Sequence, residues 1–248
     1  MGLIEILKDL VYPEKAVCLA CGRKYDHSEI EGICDRCLTR FSFITEGCPI
    51  CGREVIPATL IAGEPCPECR AERPPFKLAR SVFSYSGYAR EILLEFKYGH
   101  RPDLAKPFAD LLYLYYAEYL ADKEIDFIIP VPMHGERKNY RGYNQAERLA
   151  AQLSQKTKLE YKDILQRVKN SLPLYTLTKK ARKLELEGAF ALKEEIKTDI
   201  FRGQNILVID DIITTGTTAA EISHFILEIM QAENVYILTT ASVPVKVM

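Results

Sequence analysis

The sequence predicts an α/β protein, a mainly parallel sheet flanked by helices, with a small cysteine-rich module in front of it. Three observations predict this. Short, unbroken, β-branched runs alternate with amphipathic stretches of helical period, the pattern of βαβ units. One of those runs, Ile206–Ile209, ends in two adjacent carboxylates, Asp210 and Asp211, followed by a small hydroxyl-rich loop. All eight cysteines precede residue 70, and each belongs to a Cys-x-x-Cys pair.

Composition sets the bounds. A chain of 248 residues, 48% of them hydrophobic, can bury one large core or two modest ones. A net charge of −1 supplies no global pull toward nucleic acid or membrane, so any basic site must be local. Met1–Val11 is amphipathic, interrupted by Glu5, Lys8 and Asp9, and reads as a short leading helix rather than a signal peptide. No apolar run approaches the length of a membrane span, so a cytoplasmic chain without membrane insertion is expected.

The cysteine pairs are Cys18/Cys21, Cys34/Cys37, Cys48/Cys51 and Cys66/Cys69. Two thiolates three positions apart on a tight turn can share one tetrahedral Zn²⁺, and a second turn completes the site. Pairing neighbours puts Cys18, Cys21, Cys34 and Cys37 around one zinc and Cys48, Cys51, Cys66 and Cys69 around another, as in a duplicated zinc ribbon. An interleaved pairing, first with third and second with fourth, is the alternative. A disulfide framework fits badly without a secretory signal, and a redox dithiol explains one pair but not four. His27 lies inside the first loop and reads as a bystander. Such a module, residues 1–75, is too small for a core of its own and should depend on metal to fold. Four thiolates leave no open coordination position, which argues against catalysis there.

Ala71-Glu72-Arg73-Pro74-Pro75 reads as a linker to a second domain, residues 76–248. Ser81–Tyr85 predicts a strand and Tyr88–Tyr98 a helix burying Ile92, Leu93 and Phe96. Leu104–Leu120 predicts a second helix. Phe127–Pro132 predicts a buried strand stopped by its prolines, followed by a loop. Asn144 then caps a helix to about Lys156. After Ile206–Ile209, a helix from about Thr217 to Gln231 and a strand at Val235–Thr239 complete the pattern.

Ligands of parallel sheets sit beyond the strands' carboxyl ends, where Asp210 and Asp211 fall. Two carboxylates there can accept hydrogen bonds from a sugar diol. Thr214, Thr215, Gly216, Thr217 and Thr218 offer hydroxyls, backbone N–H groups and a helix N-terminus, which suit a phosphate monoester. A diol beside a phosphate describes a ribose 5-phosphate. The loop Val131–Gln145 stands at another strand's carboxyl end and brings Arg137, Lys138 and Arg141 together, cations that suit a multiply charged anion or form a solvated basic loop. His134 could act as a general acid but, alone in that loop, reads more simply as structural or incidental. Gln166 to Lys183 carries Arg167, Lys169, Lys179, Lys180, Arg182 and Lys183 with no acid among them. It reads as an excursion, either a hood over the site, a contact for a polyanion, or a solvated flap.

The strand, acid pair and Thr/Gly loop resemble the phosphoribosyl pyrophosphate (PRPP) motif of type I phosphoribosyltransferases. The resemblance implies that Asp210 and Asp211 hold the ribose hydroxyls and that Thr214–Thr218 cradle the 5-phosphate. The whole order is similar to the ComF family: double zinc ribbon, Phe96-Lys97-Tyr98-Gly99, Pro130-Val131-Pro132, Arg137 through Arg141-Gly142-Tyr143-Asn144-Gln145, then the PRPP motif. That resemblance implies a type I phosphoribosyltransferase fold. It also implies a Mg²⁺-dependent transfer of phosphoribosyl to an acceptor, and a link to natural competence with its incoming single-stranded DNA and other competence proteins. It adds Lys97, Arg137, Arg141, Asn144 and Gln145 to the site. Leu174 and Glu185 depart from the family's Gln and Asn in the basic excursion, which bears on the acceptor but not on PRPP. The competing reading is a non-catalytic protein that senses PRPP or docks single-stranded DNA or protein through the ribbons and the excursion.

Overall fold

The computed structural model describes residues 16–56, 63–169, 188–193 and 196–246. The leading helix expected at Met1–Val11, the basic residues Lys179, Lys180, Arg182 and Lys183, and the departures Leu174 and Glu185 lie outside them.

The cysteine region folds as two copies of one knuckle. In the first, β1 (Ala16–Val17) pairs antiparallel with β2 (Lys24–Tyr25), and α1 (Asp35–Leu38) starts just after Cys34. In the second, β3 (Val55–Ile56) precedes α2 (Pro67–Ala71), which starts just after Cys66. The backbone bonds repeat as well. Gly22 N donates to Cys18 O and Gly52 N to Cys48 O, both at 2.8 Å. Cys34 N donates to Cys18 Sγ and Cys66 N to Cys48 Sγ, both at 3.3 Å. Gly52 sits at φ +67°, and a Cβ there would lie 2.8 Å from the Arg80 Cα, so only glycine lets this knuckle reach the sheet.

The larger part then runs β4 (Leu78–Ser84), α3 (Gly87–Tyr98), α4 (Ala105–Tyr119), β5 (Phe127–Pro130), α5 (Gly135–Arg141), α6 (Gln145–Thr157), β6 (Glu160–Tyr161), β7 (Leu165–Arg167) and β8 (Phe190–Leu192). It finishes with β9 (Asn205–Ile213), α7 (Thr217–Ile229), β10 (Asn234–Ser242) and β11 (Val245–Lys246). Two expectations need correction. The stretch after β5, expected as a loop, holds the helix α5. It carries no buried residue and so has no apolar stripe to betray it. Gln166 and Arg167, assigned to the excursion, belong to β7, which pairs antiparallel with β8 through Arg167 and Phe190.

Five strands form a wholly parallel sheet in the order β4-β10-β9-β5-β6. Alternation along the central strands feeds two cores. Leu207, Ile209 and Leu238 pack against Phe96, Phe108, Leu149 and Leu153 of α3, α4 and α6. Ile206, Val208 and Ile237 pack against Ile222 and Ile226 of α7. From β5 the chain proceeds outward to β6, whereas from β9 it proceeds the other way to β10. The crevice between the carboxyl ends of β5 and β9 is therefore the topological switch point, where ligands of such sheets bind.

The cysteine knuckles cover the sheet's exposed edge. Ile44 N donates to Val82 O, Ser84 N to Ser42 O and Ala79 N to Ile50 O, which pairs much of the outer side of β4. Phe43 bridges to Phe83, whose ring also stacks on Phe41 at 4.4 Å. At the other end β11 pairs parallel with β3, and the buried Arg53 donates Nε to Val243 O at 2.8 Å. Among the described residues, no helix is long and apolar enough to cross a membrane.

Candidate functional site

Two places carry chemistry: the thiol clusters and the switch-point crevice. In the thiol clusters the pairing is by neighbours. The sulfurs of Cys18, Cys21, Cys34 and Cys37 all lie within 4.8 Å of one another, as do those of Cys48, Cys51, Cys66 and Cys69. The interleaved alternative is thereby excluded. Each set is an S₄ donor group, the ligand set of structural Zn²⁺. Crowding makes the second set share protons unequally: hydrogen bonds from Cys51, Cys66 and Cys69 drive Cys48 far down, and the same contacts drive Cys51 far up. His27 joins neither cluster. Tyr88, on α3, donates its hydroxyl to Cys37 Sγ at 3.1 Å, with the Arg40 guanidinium 3.6 Å from its ring centroid.

The crevice is built at the end of β9. Asp210 and Asp211 lie in β9 just past Ile209, the last residue that pairs with β5, while the strand stays paired with β10 to Ile213; Asp211 is buried and Asp210 partly so. Asp211 N donates to Asp210 Oδ1 at 2.8 Å, holding the two carboxylates in one local arrangement. The ammonium of Lys97, at the end of α3, pairs with Asp211 Oδ1 at 3.1 Å. Burial first, and the Asp211 charge second, push Asp210 up to about 7, against the pull of Lys97, the Asp211 N–H and Arg167. Arg167, read only as part of a basic run, thus acts electrostatically on Asp210.

Beyond the acids the chain turns through Thr214 and Thr215 to Gly216, which caps α7 at φ +76°, a conformation suited to glycine. Thr217 and Thr218 open that helix, and the hydroxyls of Thr215 and Thr217 lie 2.8 Å apart. A cavity of about 430 Å³ opens beside this turn, between Thr215, Thr217 and Ala220 on one wall and Pro74, Pro75 and Phe76 on the other.

The residues of the β5 side divide by role. His134 caps α5, its Nδ1 accepting from Glu136 N at 3.4 Å. Lys138 pairs with Glu147 at 2.8 Å. Arg137 is partly buried on α5. Arg141 donates to Tyr98 Oη at 2.9 Å, with its guanidinium 4.7 Å from that ring's centroid. Asn144 and Gln145 are buried against the protein. Asn144 accepts from Ala146 N to cap α6 and donates to Val131 O at 2.9 Å. Gln145 donates Nε2 to Phe96 O at 3.2 Å. Tyr143 donates its hydroxyl to the same carbonyl. Sequence reasoning quoted Tyr98 and Tyr143 within motifs but gave neither a role, because their partners are distant in the chain.

Residues 7–72 match the double zinc ribbon domain family. The chain is 29% identical to Competence protein F of Haemophilus influenzae over 83% of this chain and 88% of that one. It is 27% identical to Competence protein ComFC of Bacillus subtilis over 89% and 92%. The chain is thus similar to these competence proteins over most of its length, zinc ribbon included. It is also 28% identical to DNA utilization protein YhgH of Escherichia coli K12 over 79% of its length and 84% of the relative's. Among solved structures, the allosteric regulatory enzyme of purine biosynthesis aligns with 18% identity and TM-score 0.39, covering 59% of this chain and 29% of that one. Adenine phosphoribosyltransferase aligns with 17% identity and TM-score 0.34, covering 58% and 80%. The chain's architecture, a parallel sheet flanked by helices behind two Cys₄ knuckles, is read from its own strands. The strands are parallel, and the acid pair and threonine turn stand at the switch point.

Proposed function

We propose that this chain binds PRPP with Mg²⁺ in the β5–β9 crevice and transfers its phosphoribosyl group to an acceptor. The observation that carries the reading is the partly buried acid pair, held by Lys97, next to the hydroxyl-rich N-terminus of α7. Asp210 and Asp211 accept hydrogen bonds from the ribose diol. Thr214, Thr215, Gly216, Thr217 and Thr218 receive the 5-phosphate with hydroxyls, N–H groups and the helix dipole. The carboxylates also favour the positive character that C1 acquires as its bond to pyrophosphate lengthens. Lys97, Arg137 and Arg141 supply positive charge for the departing pyrophosphate. Oxygen donors of this kind suit Mg²⁺, which, when bound with PRPP, neutralises the pyrophosphate that leaves. The relatives are named for competence and DNA utilization, and we extend that role to this chain.

Calorimetric titration of the zinc-loaded protein with PRPP and Mg²⁺ tests the reading. Wild type should bind, and Asp210→Asn with Asp211→Asn should not. Equal binding by a folded double variant would end the claim for the acid pair.

A second reading, a nucleic-acid-binding adaptor, is favoured by one observation. Tyr140 is 79% exposed on α5 and Tyr98 49% exposed, with Arg141 stacked on the latter, so aromatic faces and a cation stand together on the surface. It predicts single-stranded DNA binding that weakens steeply with salt and is lost in Tyr98→Ala with Tyr140→Ala. Salt-insensitive binding would reject it.

A further inference from the structure

The end of α3 poses a problem that its own residues cannot solve. The last carbonyls of a helix lack intrahelical donors, and the last turn frays when nothing supplies them. Lys97 stands in that turn, one residue before the helix ends at Tyr98. Its four-carbon stem must nonetheless hold an ammonium 3.1 Å from Asp211.

Three successive residues of this turn are gripped by one short segment. Phe96 O accepts from the Tyr143 hydroxyl and from Gln145 Nε2, and the same Nε2 lies 3.5 Å from Lys97 O. Tyr98 Oη accepts from Arg141 Nη2 at 2.9 Å. Arg141 Nη1 also lies 3.5 Å from Gln145 Oε1, which orients the amide so that its nitrogen faces the helix end. Gln145 is 1% exposed and Tyr143 7%, so both side chains are turned into the protein. The neighbouring Asn144 ties the same segment to Val131 O at the exit of β5. The run from Arg141 to Gln145 therefore braces one wall of the crevice against the other.

We propose that Tyr143 and Gln145 are positioning residues for Lys97: by holding the Phe96 carbonyl they fix the last turn of α3 and aim its lysine at the acid pair. They act on the protein and not on the ligand. The inference rests on the proposed PRPP reading for its functional consequence, but not for its structural one.

The test uses full-length, zinc-loaded protein carrying Tyr143→Phe and Gln145→Met, which keep the shapes and remove both donors. Melting and circular dichroism establish the fold, and Tyr143→Phe alone, which retains the Gln145 donor, serves as the rescued control. The first readout is a carbon-13 titration of the Asp210 carboxyl, faced by Asp211, Lys97 and Arg167. With Lys97 set loose, the midpoint should rise in the double variant as it does in Lys97→Met, and stay near wild type in Tyr143→Phe. The second is affinity for PRPP with Mg²⁺, expected to fall about tenfold in the double variant and no further when Lys97→Met is added. An unchanged Asp210 midpoint in a folded double variant overturns the inference, as do additive losses of affinity on the Lys97→Met background. If wild type does not bind PRPP at all, the functional reading fails while the carboxyl titration still decides the positioning role.

Discussion

Replacing Asp210 by asparagine should make this protein more stable while emptying its site. In the folded chain, burial and the Asp211 charge raise the Asp210 carboxyl from its ordinary 3.8 to about 7. The sign follows from which state holds the proton. Between those two values the folded state keeps it and the unfolded state releases it, so stability falls as pH rises through this window. Above about 7 the full cost is in place, and below 3.8 it is absent. At about 1.4 kcal/mol per pKa unit, the full cost is up to about 4 kcal/mol. Asparagine removes the charge but keeps an oxygen for the Asp211 N–H, now bonded at 2.8 Å. In urea denaturation of zinc-loaded protein, Asp210→Asn should exceed wild type by up to about 4 kcal/mol near pH 8 and by only about 2 kcal/mol near pH 5. Comparing variant with wild type at each pH cancels the proton dependence of zinc ligation, which both share. No gain near pH 8, or a gain that grows on acidification, would refute the account of the acid pair. The expected loss of PRPP binding beside gained stability is the trade seen where function needs a strained arrangement.

Three more expectations test the fold around the site. Stripping zinc with a chelator should unpin residues 42–50 from the sheet edge, so hydrogen exchange should lose protection along β4 while β9 keeps it; unchanged β4 protection would contradict the edge-cover role. Gly52→Ala should cost more than about 2 kcal/mol, because the new Cβ meets Arg80 backbone at 2.8 Å in a left-handed conformation, whereas Gly22→Ala, at φ +71° with open space around it, should cost about 1 kcal/mol. Equal costs from chemical denaturation would mean that the packing of the second knuckle on the sheet is not what selects glycine. Asn144→Ala loses the cap of α6 and leaves Val131 O without its donor, a loss of about 2–3 kcal/mol in the same assay.

Signals carried by adjacent residues were legible. Ile206–Ile209 reads as a buried strand because both of its faces are apolar, but the strand runs on through Asp210 and Asp211 to Ile213, so only Thr214–Gly216 forms the turn before α7. The Cys-x-x-Cys spacing likewise declares a thiolate site. The α5 helix was illegible for the opposite reason: Gly135–Arg141 buries nothing, so no periodicity marks it, and only the cap at His134 closes its start.

What the sequence determined by itself was therefore local: which runs become strands, where a helix is capped, and which side chains share a turn. Tertiary structure alone decided the rest. It paired the cysteines by neighbours and laid the stretch Ser42–Ile50 along β4. It brought Lys97 to Asp211 and the Tyr143 and Gln145 donors to the Phe96 carbonyl. These partners lie far apart in the chain, and hydrogen bonds and ion pairs leave no periodic trace in the residues between. Their meeting is set by the crossover order of the sheet, which only the packed core fixes.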